Sequence, residues 1–84
     1  MKPTVLLIDE NQAVTEIVRA LLERNGYGVE MADADVDIIK TLDERPVDVI
    51  VTDVQLTGTD GYSIARTVRA DPAVADIPII FLTA

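Results

Sequence analysis

Four short apolar runs punctuate an otherwise mixed chain: Val5 to Ile8, Tyr27 to Ala32, Val49 to Thr52 and Ile79 to Leu82. Three of them are continuously apolar and do not alternate, the pattern of strands buried on both faces, so the spacing predicts a parallel sheet covered by helices. Between the first two runs, Val14, Ile17, Val18, Leu21 and Leu22 fall at i, i+3, i+4, i+7 and i+8. That is one stripe of an amphipathic helix turned toward the sheet, and Gly26 is placed to end it in a left-handed cap. A second helix is expected from about Ala34 to Glu44, with Ile38, Ile39 and Leu42 inward and Pro46 barring continuation. A third should run from Gly61 to about Ala70, capped by Asp60, with Ile64, Ala65 and Val68 inward and Asp71-Pro72 as its stop. Pro78 falls next to a strand start, where a missing N–H is tolerated.

Strand and helix therefore alternate from end to end, with no linker or repeat, as one domain over residues 1–84. Right-handed crossovers turn such an alternation into a doubly wound α/β sheet. In its flavodoxin-like form the strand order begins 2-1-3-4, and a crevice opens beyond the carboxyl ends of strands 1 and 3.

Composition narrows the chemistry. The 84 residues carry 15 Asp and Glu against 7 Lys and Arg, a formal charge of -8, with no His and no Cys. Triads using histidine, cysteine nucleophiles, ordinary zinc sites and disulfides are excluded, which leaves carboxylate and hydroxyl chemistry. The charge argues against nucleic acid or an anionic membrane as partner. The apolar run before Asp9 is too short for a signal peptide or membrane span, so the expected location is the cytoplasm.

Asp9 and Glu10 follow the first strand, Asp53 the third and Thr83 the fourth. Any one of these is an ordinary strand end. Together they set several oxygen ligands in one crevice, where three carboxylates would repel one another unless a cation joined them; an all-oxygen site of this kind suits Mg²⁺ or Mn²⁺.

The stretches VLLIDEN (5–11), VIVTDVQLTGTDG (49–61) and IPIIFLTA (77–84) resemble the response-regulator receiver domains of two-component signalling, in order and spacing across the chain. The resemblance implies that Asp53 accepts a phosphoryl group from a phosphohistidine on a sensor histidine kinase or phosphotransfer protein. It implies that Asp9, Glu10, Asp53 and the backbone carbonyl of Gln55 hold Mg²⁺. Thr83 would hydrogen-bond the phosphoryl oxygens and move on activation. The domain would then be a switch, limited to its own phosphorylation and slow dephosphorylation.

Three departures bear on this. Glu10 is one methylene longer than the Asp more usual there, and Thr57 stands where the family commonly has Pro. The family also continues beyond position 84 through a helix, a strand carrying a phosphoryl-pairing Lys and a closing helix; neither Lys2 nor Lys40 can substitute. A chain lacking these elements is expected to expose the edge of its last strand and to be a fragment, or to be completed by a second copy or partner chain.

Two other functions compete. A docking-only pseudo-receiver would keep the acids without being phosphorylated. A Mg²⁺-dependent phosphohydrolase is suggested by the resemblance of Asp53 to Thr57 to the nucleophile motif of haloacid-dehalogenase enzymes, but Gln55 occupies the position of their general acid, and an amide cannot exchange a proton there. Stoichiometric phosphorylation, repeated turnover or neither would separate the three. Arg66 and Arg69 read as solvated helix surface, and Asp33, Asp35 and Asp37 as the start of the second helix.

Overall fold

The structure, a computed structural model, describes residues 2–34 and 37–82. Strands β1 (Thr4–Ile8), β2 (Gly28–Ala32), β3 (Val49–Asp53) and β6 (Ile79–Leu82) form one parallel sheet in the order β2-β1-β3-β6. This is the expected 2-1-3-4 arrangement. Two short strands not foreseen from the sequence, β4 (Gln55–Leu56) and β5 (Thr59–Asp60), pair antiparallel as a small hairpin between β3 and the third helix.

The central strand shows why the runs do not alternate. Val5, Leu6, Leu7 and Ile8 are each at most 1% exposed. Because successive side chains point to opposite faces, they feed two cores. Leu6 and Ile8 join Ile50, Ile38, Leu42, Ile64 and Val68 beneath α2 (Ile38–Glu44) and α3 (Gly61–Ala70). Val5, Leu7 and Val51 pack with Val18 and Leu22 of α1 (Gln12–Arg24) on the other face.

Helix α1 corrects one expectation. Only part of its apolar stripe meets the sheet: Thr15 is buried, and Val18 and Leu22 pack on the core, but Val14, Ile17 and Leu21 are 38%, 63% and 53% exposed. These three lie one residue back from the contacting set, hence rotated by about 100° on the helix. That turns them past the margin of the surface the described strands provide. The helix ends as its glycine suggested. Gly26 has φ 88°, its N–H donates to the Glu23 carbonyl at 3.2 Å, and the Tyr27 N–H donates to the Leu22 carbonyl at 3.0 Å. That pair of bonds is a Schellman motif.

Helix α2 is shorter than expected, starting at Ile38 with Asp37 as its cap; the Asp37 carboxylate accepts the Lys40 N–H at 3.2 Å. Asp33 lies outside the helix, and Asp35 falls outside the described residues. Helix α3 matches expectation, with Asp60 Oδ1 accepting the Ser63 N–H at 2.7 Å and Ile64 and Val68 buried. Arg69 is not simply solvated: one guanidinium nitrogen donates to the carbonyls of Ala75 and Ile77, each at 2.7 Å, bracing the loop that delivers β6. Tyr62 and Phe81 add a tilted ring contact, centroids 4.8 Å apart, between α3 and β6. Among the described residues β6 forms a margin of the sheet, with Ile80 53% exposed.

Candidate functional site at the carboxyl edge of the sheet

Register decides which polar residues meet. Ile8 of β1 pairs with Ala32 of β2 on one side and Thr52 of β3 on the other. The next residues along the three strands are Asp9, Asp33 and Asp53, so three carboxylates leave the sheet at the same level. Asp9, Glu10 and Asp33 line an open cleft together with Thr15, Met31 and Thr57, whereas Asp53, on the neighbouring strand, is not part of its wall.

Three of these four acids already have a hydrogen-bond partner. Asp9 Oδ1 accepts the Asn11 N–H at 2.8 Å, and Asn11 in turn caps α1 by accepting the N–H groups of Ala13 and Val14 at 3.1 and 3.3 Å. Asp53 Oδ1 accepts the Gln55 N–H at 3.3 Å, which bends the chain out of β3 and into the hairpin. Glu10 reaches across the cleft, where its Oε1 accepts the Thr57 N–H at 2.6 Å and the Thr57 hydroxyl at 3.2 Å. None of the ion pairs among the described residues involves Asp9, Glu10, Asp33 or Asp53, so the negative charge at this edge is not neutralised by a neighbouring Lys or Arg.

The donors are all oxygens, which fits a hard divalent cation better than a soft one. In the conformation described, no three acidic side chains lie close enough together to hold a metal ion among the described residues. Asp9 and Glu10 share the cleft; Glu10 is drawn toward Thr57. Gln55 begins β4, paired with Asp60, and Thr83 lies outside the described residues.

Two residues of the site were not singled out from sequence. Asp33, expected at a helix start, instead follows β2 directly, as Asp9 follows β1, level with Asp53 at the end of β3. Gly61 matters for closeness. A Cβ built there would lie 2.5 Å from the Asp53 carbonyl oxygen and 3.2 Å from Thr52 Cγ2, so the first turn of α3 rests on the backbone of Asp53 itself. The Gly61 N–H donates to the Val54 carbonyl at 2.9 Å, and the Thr52 hydroxyl to the Asp53 carbonyl at 3.0 Å, which fixes both sides of that approach. Beyond its turn, Asp60 also has its carboxyl held below the usual range, first by the Ser63 N–H it caps and further by Arg66.

Comparison with known proteins bears on this arrangement. The sequence model of the response regulator receiver domain matches residues 5–84. The chain is 33% identical over 81 residues to the transcriptional regulatory protein GltR of Pseudomonas aeruginosa, covering 96% of this chain and 34% of that protein. It is 38% identical over 82 residues to the transcriptional regulatory protein AfsQ1 of Streptomyces coelicolor, covering 98% and 35%. Among solved structures, the receiver domain of the sensor histidine kinase PA1611 of P. aeruginosa, described with a magnesium ion coordinated in its active site cleft, superimposes with a TM-score of 0.89 at 30% identity, covering 100% of this chain and 69% of that one. The N-terminal domain of a response regulator receiver protein from Methanoculleus marisnigri gives 0.87 at 30% identity, covering 96% and 66%. The chain thus spans about a third of the length of these two curated relatives. With the match running through all of the sheet and the acidic edge, the chain belongs to the response regulator receiver domains of two-component systems.

Proposed function

We propose that residues 1–84 act as a phosphoacceptor switch in which Asp53 takes a phosphoryl group from a phosphohistidine on a sensor histidine kinase or phosphotransfer protein. The observation that carries this reading is the register: Asp53 ends β3 at the level where Asp9 follows β1, at the open carboxyl edge of the sheet.

A carboxylate oxygen of Asp53 attacks phosphorus, the P–N bond to the imidazole breaks, and the imidazole leaves with the electron pair, so an acyl phosphate forms. Such a transfer asks the protein chiefly for positioning and for charge neutralisation. Positioning comes from β3, hydrogen-bonded to β1 and β6 on its two sides, and from the Gln55 N–H that orients the Asp53 carboxylate. Asp9, Glu10, Asp53 and the Gln55 carbonyl would hold Mg²⁺ or Mn²⁺, which supplies the positive charge that an acidic edge lacks when a phosphate approaches. The Thr83 hydroxyl would hydrogen-bond the phosphoryl oxygens. Receiver domains are signalling domains, and no repeated turnover is assigned to this one. The setting is the cytoplasm; no helix of the described residues is long and apolar enough to cross a membrane.

A second reading, a docking domain that is never phosphorylated, draws support from the unconverged acids and from the exposed Val14, Ile17 and Leu21. One experiment separates the two. With acetyl phosphate and Mg²⁺, the intact mass should rise by one phosphoryl group, the rise should need Mg²⁺, and Asp53→Asn should abolish it. A wild-type protein unchanged at saturating Mg²⁺ would leave the docking reading in its place.

A further inference from the structure

Glu10 and Thr57 are 47 positions apart, yet one carboxylate oxygen of Glu10 takes both the backbone N–H and the hydroxyl of Thr57. Both residues are exposed, so packing does not force the contact. A charge-assisted hydrogen bond is what holds it. Thr57 and Gly58 form the two-residue turn between β4 and β5, the hairpin whose first strand starts two residues after Asp53. Gly58 has φ 78° and no other residue type among those described has positive φ, so the turn has the left-handed residue third, as in type II.

While Glu10 is held by Thr57, Asp9, Glu10 and Asp53 do not form a group able to share a cation. Glu10 shares the cleft wall with Asp9, and a Glu10 carboxylate turned toward a cation there gives up the Thr57 N–H. We infer that the Glu10–Thr57 contact is a clasp that competes with a divalent cation for the Glu10 carboxylate, so that cation binding beside Asp53 releases the β4–β5 turn. The inference rests on the phosphoacceptor reading of the site. By the resemblance read from the sequence, Glu10 stands where an Asp is more usual and Thr57 where a Pro is common, and these two residues are the halves of the clasp. The longer side chain supplies the reach, and a residue other than Pro supplies the N–H.

The backbone bond, at 2.6 Å, is the shorter of the two, which makes the N–H the dominant half. Thr57→Pro deletes that donor at a turn position where Pro is well accommodated. Thr57→Val keeps it and removes only the hydroxyl. Mg²⁺ alone is titrated calorimetrically into the wild-type chain, both variants and Asp53→Asn, while exchange of the Thr57 amide is followed by NMR in the wild type. Thr57→Pro should bind Mg²⁺ about tenfold or more tightly than wild type, on the scale of a charge-assisted hydrogen bond. Thr57→Val should stay close to wild type, and the Thr57 amide should lose protection as Mg²⁺ saturates. Equal Mg²⁺ affinity in Thr57→Pro and wild type, with Asp53→Asn weakened, overturns the clasp and leaves the phosphoacceptor reading standing. Should Thr57→Pro melt out, the wild-type amide decides alone: protection unchanged at saturation overturns the clasp. Absence of Mg²⁺ binding to every protein overturns the underlying reading.

Discussion

Gly61→Ala tests how closely α3 is seated on the phosphoacceptor strand. The new methyl would sit 2.5 Å from the Asp53 carbonyl oxygen, where ordinary contact begins near 3.4 Å, so something must move by most of an ångström. Neither side yields freely: β3 is paired with both β1 and β6, and α3 is pinned by the Gly61 N–H on Val54 and by the Asp60 cap. Overpacking of this kind costs about 1–3 kcal/mol, and the lower chain entropy of unfolded Ala returns about 0.4–1 kcal/mol. A net loss centred on about 1 kcal/mol, and at most about 2.6 kcal/mol, remains, which for a chain of this size lowers Tm by roughly 4–8 °C per kcal/mol. Far-UV circular dichroism reads the transition, since the chain has no Trp. Gly26→Ala is the control. It has open space around it and φ 88°, so its cost is conformational and remote from Asp53. At a temperature where both variants are folded, only Gly61→Ala should slow phosphoryl uptake at Asp53. A Gly61→Ala protein that melts at or above the wild-type temperature would refute the close seating.

Leu6→Ala removes a fully buried side chain from the core under α2 and α3 and should cost about 2–5 kcal/mol in urea unfolding; a loss below about 1 kcal/mol would mean that the strand is not buried on both faces. Asp60, whose carboxyl is held below its ordinary value of 3.8, contributes stability that is present above that value and lost as pH falls through the lower, folded-state value. Asp60→Asn should therefore show a shallower loss of stability than wild type in acid, read by thermal melts from about pH 5 downward. Parallel acid limbs would remove the cap from the account.

Legibility varied with the range of the cause. The Asp60 cap, the Gly26 terminator and the strands around Val5, Val49 and Ile79 were readable because each depends on neighbours a few residues away or on a run of one chemical character. The exposed Val14, Ile17 and Leu21 were not, because an apolar stripe shows that a helix has a sticky face without showing how wide a surface awaits it. Arg69 read as solvated for the same reason: its partners, the carbonyls of Ala75 and Ile77, come within reach only when the loop folds back over the end of α3.

Periodicity and turn chemistry are local, and by themselves they determine that this chain makes an α/β alternation with acids at its strand ends. Which acids stand level with one another is a matter of register, and register is set by the pairing of Ile8 with both Ala32 and Thr52. The reach of Glu10 to Thr57 and the contact of Gly61 with Asp53 belong to tertiary structure alone. Hydrogen bonds and steric contacts act over a few ångströms of space; Glu10 and Thr57, 47 positions apart, share that space only once the sheet has formed, and Gly61 meets Asp53 only once the hairpin between them has closed.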